Sequence, residues 1–423
     1  MTKKGKLSVE KKLSVGQNTL FNSAGSLYYL ACQWLITVLV VRLSGYEDAG
    51  TLSLCMSITN MFYTLASFGM RDFQVSDYTG KYSPGQYVTT RLLTCTAAAV
   101  LCCGFVGLNR GYTGYEAACI ILYMLFRVAE ALVDTFQAME QQAERMDYNF
   151  ISFLLRGTFL LGGFSLILWL TQNLLLAILC ITLTSFAVVL LFDFPVGRRL
   201  TGFRLTFSFQ VSRQLLWECM PLMCNSFLTT AVISVPRSIL EGIWGSYIMG
   251  IYASIATPAT IVQSGAIWLY TPVITVFTRH YARRDARAYY TLYHKIWALL
   301  AAAFAVVFVV AGLLGRWGLG LLFDEAVVEY AGLLLPVLGT TALIACAYFL
   351  GALITITRKL KVILIGNAVA AVLAAALSLP LIRSFGMNGV NYVIYISMGA
   401  NVLILFIALT CILRRHFQTG AEQ

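Results

Sequence analysis

The sequence predicts an all-α integral membrane protein with twelve transmembrane helices, arranged as two parallel, pseudo-symmetric six-helix bundles. Three observations predict it. Composition comes first: 59% of the 423 residues are hydrophobic and 12% charged, with a mean hydropathy of +0.77, far from the balance of a soluble domain. The apolar runs come second, each about twenty residues long, the length a helix needs to cross roughly 30 Å of hydrocarbon. A membrane β-barrel would instead show strands of about ten residues with alternating polarity. The third is an internal repeat relating the two halves in the same orientation.

Expected spans begin near residues 24, 50, 88, 114, 149, 173, 217, 249, 294, 328, 361 and 390. The opening MTKKGKLSVEKKLSVG carries five lysines, but the apolar stretch behind it has no A-x-A-like cleavage site and reads as a retained first helix. Orientation follows from the basic residues, which concentrate in cytoplasmic loops. With the N-terminus inside, Arg42, Arg110, Arg237, Arg316 and Arg383 fall at outer ends and Arg127 and Arg156 lie within helices. The remaining lysines and arginines, among them Lys3, Lys4, Lys6, Lys11, Lys12, Arg71, Arg91, Arg198, Arg199 and Arg204, are cytoplasmic. Both termini are then cytoplasmic and the cell membrane is the expected location. The net charge of +11 reports this asymmetry and attraction to anionic headgroups, and gives no reason to expect nucleic acid.

The eleven cysteines are scattered without a C-x-x-C and read as small core residues. His280, His294 and His416 are the only histidines and all fall at cytoplasmic positions, so neither a histidine metal site nor a buried Ser-His-Asp arrangement has material to form. The longest outer loop is expected over about 315–327, too little chain for a membrane polymerase or ligase. An enzyme is not expected, nor a cofactor, although coupling to a proton or sodium gradient is open.

The repeat pairs VVRLSGYEDAGTLSLCMSI (40–58) with VPRSILEGIWGSYIMGIYASI (235–255), setting Arg237 against Arg42 and Gly250 against Gly50 across a five-residue gap. YSPGQYVTTRLLTCTAAAVL (82–101) and YARRDARAYYTLYHKIWALLAAAF (281–304) likewise both carry a basic, tyrosine-bearing loop into an alanine-rich span. Parallel repeats of this kind are a transporter architecture with the substrate site where the halves meet. The expected division is a first bundle over 1–193, a cytoplasmic linker over 194–216 and a second bundle over 217–423. In the linker, Phe203, Leu205, Phe207, Phe209 and Val211 alternate with period two, which is not the helix period.

Segment by segment, LSGYEDAGTLSLCMSITNMFYTLASFGMRDF, the run into Met220-Pro221-Leu222, and VPRSILEGIWGSYIMGIYASIATPATI followed by FTRHYARRD resemble the polysaccharide-exporting branch of the MOP superfamily. These are flippases for polyprenyl-linked oligosaccharides, related to MATE exporters and lipid II flippases. The resemblance implies alternating access by two six-helix bundles, carrying a lipid-linked sugar headgroup from the cytoplasmic to the outer leaflet. It also implies a monomer working beside polysaccharide polymerase and glycosyltransferases. The family often has an acid before the arginine at position 237, where this chain has Pro236.

Charges within the spans suggest what such a cargo would meet. Arg127 and Glu130 lie at i and i+3, Asp134 is one turn further on the same face, and Arg156 enters the next span at comparable depth. Two readings stay open: a self-neutralising cluster that lowers the penalty of charge in lipid, or arginines whose planar fork suits a pyrophosphate. The spacing predicts Arg156 within salt-bridge reach of Glu130 or Asp134. Arg42, Arg127, Arg156 and Arg237 outnumber Glu130, Asp134 and Glu241. Arg237 pairs with Glu241, snorkels to the interface, or faces the cargo. Tyr28, Tyr29, Trp34, Tyr252, Trp268 and Tyr270 serve as interfacial belt, packing or sugar-stacking groups. Asn22 and Asn225 occupy similar places in the two halves and bond either hydroxyls or neighbouring helices. The substrate-binding candidates are therefore Arg42, Arg127, Glu130, Arg156, Asn225 and Arg237. A cation- or proton-coupled drug or metabolite antiporter, with Glu130 or Asp134 as coupling acid, is the alternative, and a non-transporting scaffold ranks below both.

Overall fold

The structure, a computed structural model, describes residues 13–77, 80–109, 111–270 and 273–418. Lys3, Lys4, Lys6, Lys11, Lys12 and Arg110 lie outside the described residues, as does the side chain of Trp268. Among the described residues no strand occurs. Helix α1 (Val15–Ser44) starts at a capping box in which Ser14 and Gln17 satisfy each other's backbone amides. After α2 (Tyr46–Ser67) and the short α3 (Met70–Ser76), α4 (Pro84–Leu108) opens on a second such box, Ser83 with Gln86, and a proline in the first turn. Thr113 and Glu116 form a third at α5 (Gly114–Gln142). Helix α6 (Met146–Thr171) leads to α7 (Leu174–Val188), a π-helical turn (Val189–Asp193) and α8 (Phe194–Thr201).

Helix α9 (Phe209–Tyr270) is continuous except at Gly245. It is followed by α10 (Ile274–Ala282), α11 (Ala286–Leu322), α12 (Glu325–Glu329) and α13 (Leu334–Ile356). Helices α14 (Leu360–Phe385) and α15 (Met387–Gln418) complete the fold.

Among the described residues, nine helical stretches are long and apolar enough to cross a membrane: α1, α4, α6, α7 running into α8, α9, α11, α13, α14 and α15. The chain is a multi-pass membrane protein. Helices α2 and α5 are long but do not join that group. The stretch expected as an outer loop over 315–327 is mostly helix, since α11 runs to Leu322 and α12 follows. Its sequence GLLGRWGLGLL remains apolar and buries Leu319. The penalty of about 1 kcal/mol for each interior glycine is too small to end the helix.

Two glycines break the rod at matching places in the repeat. Gly45 closes α1 three residues after Arg42, at φ 89° and ψ −176°. Gly245 interrupts α9 at φ 81° and ψ 169°. The region is open to glycine almost alone. Each break precedes the glycine paired in the repeat, Gly50 or Gly250, by the same five positions.

Two compact units result, Met1–Thr230 and Ala231–Gln423. In the first, α1 packs along α6, where Gly157 lets Tyr28 and Cys32 approach its backbone. The division falls at Thr230, further along than the expected start of the second bundle at 217. Leu215 and Cys219 of α9 are buried against Met70, Tyr82 and Tyr87, and Lys81 pairs with Glu218 at 2.5 Å. The linker stretch is helical through Thr201, left-handed at Gly202 and non-helical to 208. Phe203 packs on Phe136 and Phe194, and Thr89 donates to the Thr206 carbonyl at 3.0 Å. Phe207 and Phe209 are exposed.

The second unit centres on an aromatic cluster of Tyr270, Phe277, Tyr289 and Phe349. His416, near the end of α15, stacks on Tyr281 with ring centroids 3.9 Å apart. Buried amides tie the helices together: Asn401 donates to Asn367 at 2.8 Å and Tyr252 to Asn391 at 3.0 Å.

Candidate functional site

Helix α5 sets Arg127, Glu130, Asp134 and Gln137 along one face, at i, i+3, i+7 and i+10. Neighbouring helices bring partners to each. At Glu130, Tyr29 of α1 donates its hydroxyl at 2.6 Å and Arg156 of α6 reaches in at 2.5 Å. The Arg156 guanidinium also lies over the rings of Tyr29 and Phe153, at 4.7 and 5.3 Å. Arg127 stands 3.7 Å from the other carboxylate oxygen, donates to Asn60 of α2 at 2.9 Å, and covers the Tyr63 ring at 4.0 Å.

One turn on, Asp134 pairs with Arg71 of α3 at 3.0 Å and Arg91 of α4 at 3.4 Å. Arg91 is completely buried. Its Nε donates to Thr135 at 2.8 Å and its Nη1 to the carbonyls of Ala66, at 2.9 Å, and Ser67. Those carbonyls close α2, where the last turn has no partners within the helix, so Arg91 caps one helix while neutralising an acid on another. Arg71 also donates to Gln137 at 3.3 Å.

Four guanidiniums thus converge on two α5 carboxylates. Breaking a buried pair from one side leaves a stranded charge, at about 3–5 kcal/mol, so the network holds the helices as well as any ligand. It also keeps donors in reserve, because the buried Nε atoms of Arg127 and Arg156 have no hydrogen-bond partner. Among the described residues no group of three or more His, Cys, Asp or Glu could hold a metal ion.

Of the residues singled out from the sequence, the structure brings Arg127, Glu130 and Arg156 together and sets Asp134 beside them. Arg156 meets Glu130 as the spacing predicts. Arg42 is exposed in the last turn of α1, thirteen residues beyond Tyr29, or roughly 20 Å along the helix. Asn225 is half-buried on the part of α9 that belongs to the first unit. Arg237 belongs to the second unit, half-buried, with its Nε buried and without a hydrogen-bond partner. Glu241 accepts from Ser246 at 3.1 Å.

Sequence reasoning missed Arg71 and Arg91, which it counted as cytoplasmic flanking charges, and took Tyr29 only as a belt, packing or stacking residue. Arg91 carried a signal, since it lies three residues inside the span expected from 88. Arg71 carried none, because its role depends on α3 folding back along α5. Asn22 is interhelical glue, accepting from Asn149 at 3.0 Å. Tyr252 and Tyr270 are buried and so do not form an interfacial belt.

Residues 15–279 match the family described as polysaccharide biosynthesis protein. The chain belongs to that family. Among its curated relatives is the capsular polysaccharide biosynthesis protein CapF of Staphylococcus aureus, 25% identical over 231 residues, which are 53% of this chain and 56% of CapF. The chain thus spans little more than half the length of that relative. Solved structures of the same fold include an inward-facing multidrug resistance MATE family transporter of the MOP superfamily, with TM-score 0.72 and 12% identity over 97% of both chains. The lipid II flippase MurJ, in an inward closed conformation, gives TM-score 0.69 and 13% identity over 96% of this chain and 91% of its own. The MATE multidrug transporter DinF-BH gives TM-score 0.65 and 14% identity over 96% of this chain and 99% of its own. The family membership and the fold agree with the resemblance drawn from the sequence.

Proposed function

We propose that this polysaccharide biosynthesis family member is a flippase. It moves a polyprenyl-pyrophosphate-linked oligosaccharide from the cytoplasmic to the outer leaflet of the cell membrane by alternating access, for assembly of a surface polysaccharide. The observation that carries the reading is the guanidinium excess around the two α5 carboxylates: Arg71, Arg91, Arg127 and Arg156 against Glu130 and Asp134. Arginine presents a planar fork that fits phosphate oxygens, and a site built for cationic drugs would hold carboxylates in excess. Arg127 and Arg156, with donors still unpartnered, are the groups assigned to the anionic linkage. Arg42 and Arg237 are assigned a supporting share in it, Asn225 hydrogen bonds to sugar hydroxyls, and Glu130 the task of orienting both of its arginines.

The proposal includes twelve crossings, with α2 and α5 as spans and α9 counted as two about Gly245, both termini cytoplasmic, and a monomer acting beside polymerase and glycosyltransferases. Export in a strain lacking the native gene tests it, with the membrane level of each variant measured alongside. Arg127→Ala and Arg237→Ala are expected to insert and export very little, while Arg237→Lys keeps part of the function because charge survives without the fork. Wild-type export by a normally inserted Arg127→Ala would sink the phosphate role. Extrusion of a cationic dye without any effect on polymer would favour the antiporter, with Glu130 or Asp134 as the coupling acid.

A further inference from the structure

Away from the Glu130 and Asp134 network, α5 ends beside a second pair of acids in very different surroundings. Glu140, in the last turns of α5, and Asp193, closing the π-helical turn after α7, are both completely buried. None of their carboxylate oxygens has a hydrogen-bond partner. Their elements are packed together through Phe136, Met139 and Val189 and an edge-to-face contact of Phe136 with Phe194, centroids 6.0 Å apart. The two acids lie within electrostatic reach of each other.

Helix α6 lines the same place with Asn149, Ser152 and Arg156, at i, i+3 and i+7 on one face. The Ser152 hydroxyl is completely buried and faces Asp193, yet makes no hydrogen bond of good geometry. The Oδ1 of Asn149, also completely buried, has no partner either. Charges reaching the pair from packed elements are Arg156 and Asp147 on α6, Arg71 on α3 and Glu130 on α5. Arg156 is engaged by Glu130 and Arg71 by Asp134. Arg198 and Arg199 of α8 are exposed.

A carboxylate stripped of water and of donors is strongly penalised, and in practice such a group takes up a proton. A second acid within electrostatic reach adds repulsion to that penalty. We propose that Glu140 and Asp193 form a proton-binding site of the first unit, separate from the arginine network. A proton from water adds to one carboxylate oxygen, taking the pair from two negative charges to one. The new hydroxyl then has an acceptor facing it on α6, Ser152 Oγ. The π-helical turn that carries Asp193 is a departure from the α-helix found frequently at functional sites. The site gives the protein a proton to couple to whatever the cargo, and it is read without any transport assay.

The test uses the full chain in lipid nanodiscs, titrated between about pH 5 and pH 9, a range that brackets a carboxyl shifted by burial, and followed by infrared difference spectroscopy. The wild type is expected to show a protonated-carboxyl band that disappears as pH rises. Glu140→Gln and Asp193→Asn should each remove or shift that band, and Glu144→Gln, at an exposed position, should leave it. Ser152→Ala, a small truncation expected to fold, should shift the frequency and midpoint because an acceptor is lost. It carries the test if the acid variants do not yield protein. A band unchanged in the acid variants, or in Ser152→Ala where these cannot be made, overturns the assignment. So does a band that responds to sodium at fixed pH and ionic strength rather than to pH.

Discussion

Arg156 is 5% exposed and Glu130 holds it at 2.5 Å, so removing Glu130 strands the guanidinium. Removing Arg156 leaves the largely buried Glu130 side chain with only the Tyr29 hydroxyl and the longer Arg127 contact. Arg156→Ala is expected to lower stability by about 3–5 kcal/mol, read as thermal unfolding of the purified protein in detergent. Adding Glu130→Gln to Arg156→Ala should recover part of the loss, because contacting residues do not contribute additively. Equal unfolding temperatures for Arg156→Ala and wild type would show that the pair holds nothing together. Arg91 is a second case. Its fork serves Thr135, two carbonyls and Asp134 at once, a geometry that the point charge of lysine cannot reproduce. Arg91→Lys should therefore cost about 1–3 kcal/mol from buried groups left unsatisfied, with α2 fraying at its end. Hydrogen exchange at residues 64–69 would report it, and unchanged protection there would exclude the capping role.

Helices α1 and α9 break at Gly45 and Gly245 for a backbone reason alone, since a Cβ at either would meet nothing within 4 Å. Alanine there should destabilise by about 1–3 kcal/mol through the forbidden φ and ψ. Gly242→Ala, also with open space but within the helix, should be neutral or slightly stabilising. Comparable unfolding temperatures for Gly242→Ala and Gly245→Ala would mean that the break is not set by glycine. The linker yields a separate prediction. A Cβ at Gly85 would strike the Arg204 carbonyl, so Gly85→Ala should lift residues 202–208 off α4. Faster tryptic cleavage after the exposed Arg204 would be the sign, and an unchanged rate would mean that the linker is not docked there. The period-two alternation of this stretch was legible in the sequence. Its meaning was not, because only the packing on α4 and α5 shows that Phe203 is anchored while Phe207 is exposed.

Over the whole chain, the proposed topology puts both termini inside. Single cysteines at Gly111 and Glu325, in a background without the native eleven, should react with an impermeant reagent from outside intact cells. Gly315, in the stretch expected as an outer loop, lies inside α11 and faces Leu334, so a cysteine there would be a poorer reporter. Reaction of either cysteine only after the inner face is exposed would reverse the orientation.

The all-helical membrane class and the family were legible in the sequence because lipid imposes length and polarity on every span. That Arg156 meets an α5 acid, Glu130 or Asp134, was legible too, since it enters the next span at comparable depth, and the structure selects Glu130. What the tertiary structure alone decided is which distant charges meet. Arg71 and Arg91 look like ordinary cytoplasmic basics until α3 and α4 are laid against α5. Glu140 and Asp193 look like ordinary helix-end acids until α5 and the π-helical turn pack together and both are buried. A charge in a sequence carries no record of its burial or its neighbours. Burial and neighbours are properties of packing between segments far apart in the chain, and in an apolar interior they set what each charge costs and what it binds.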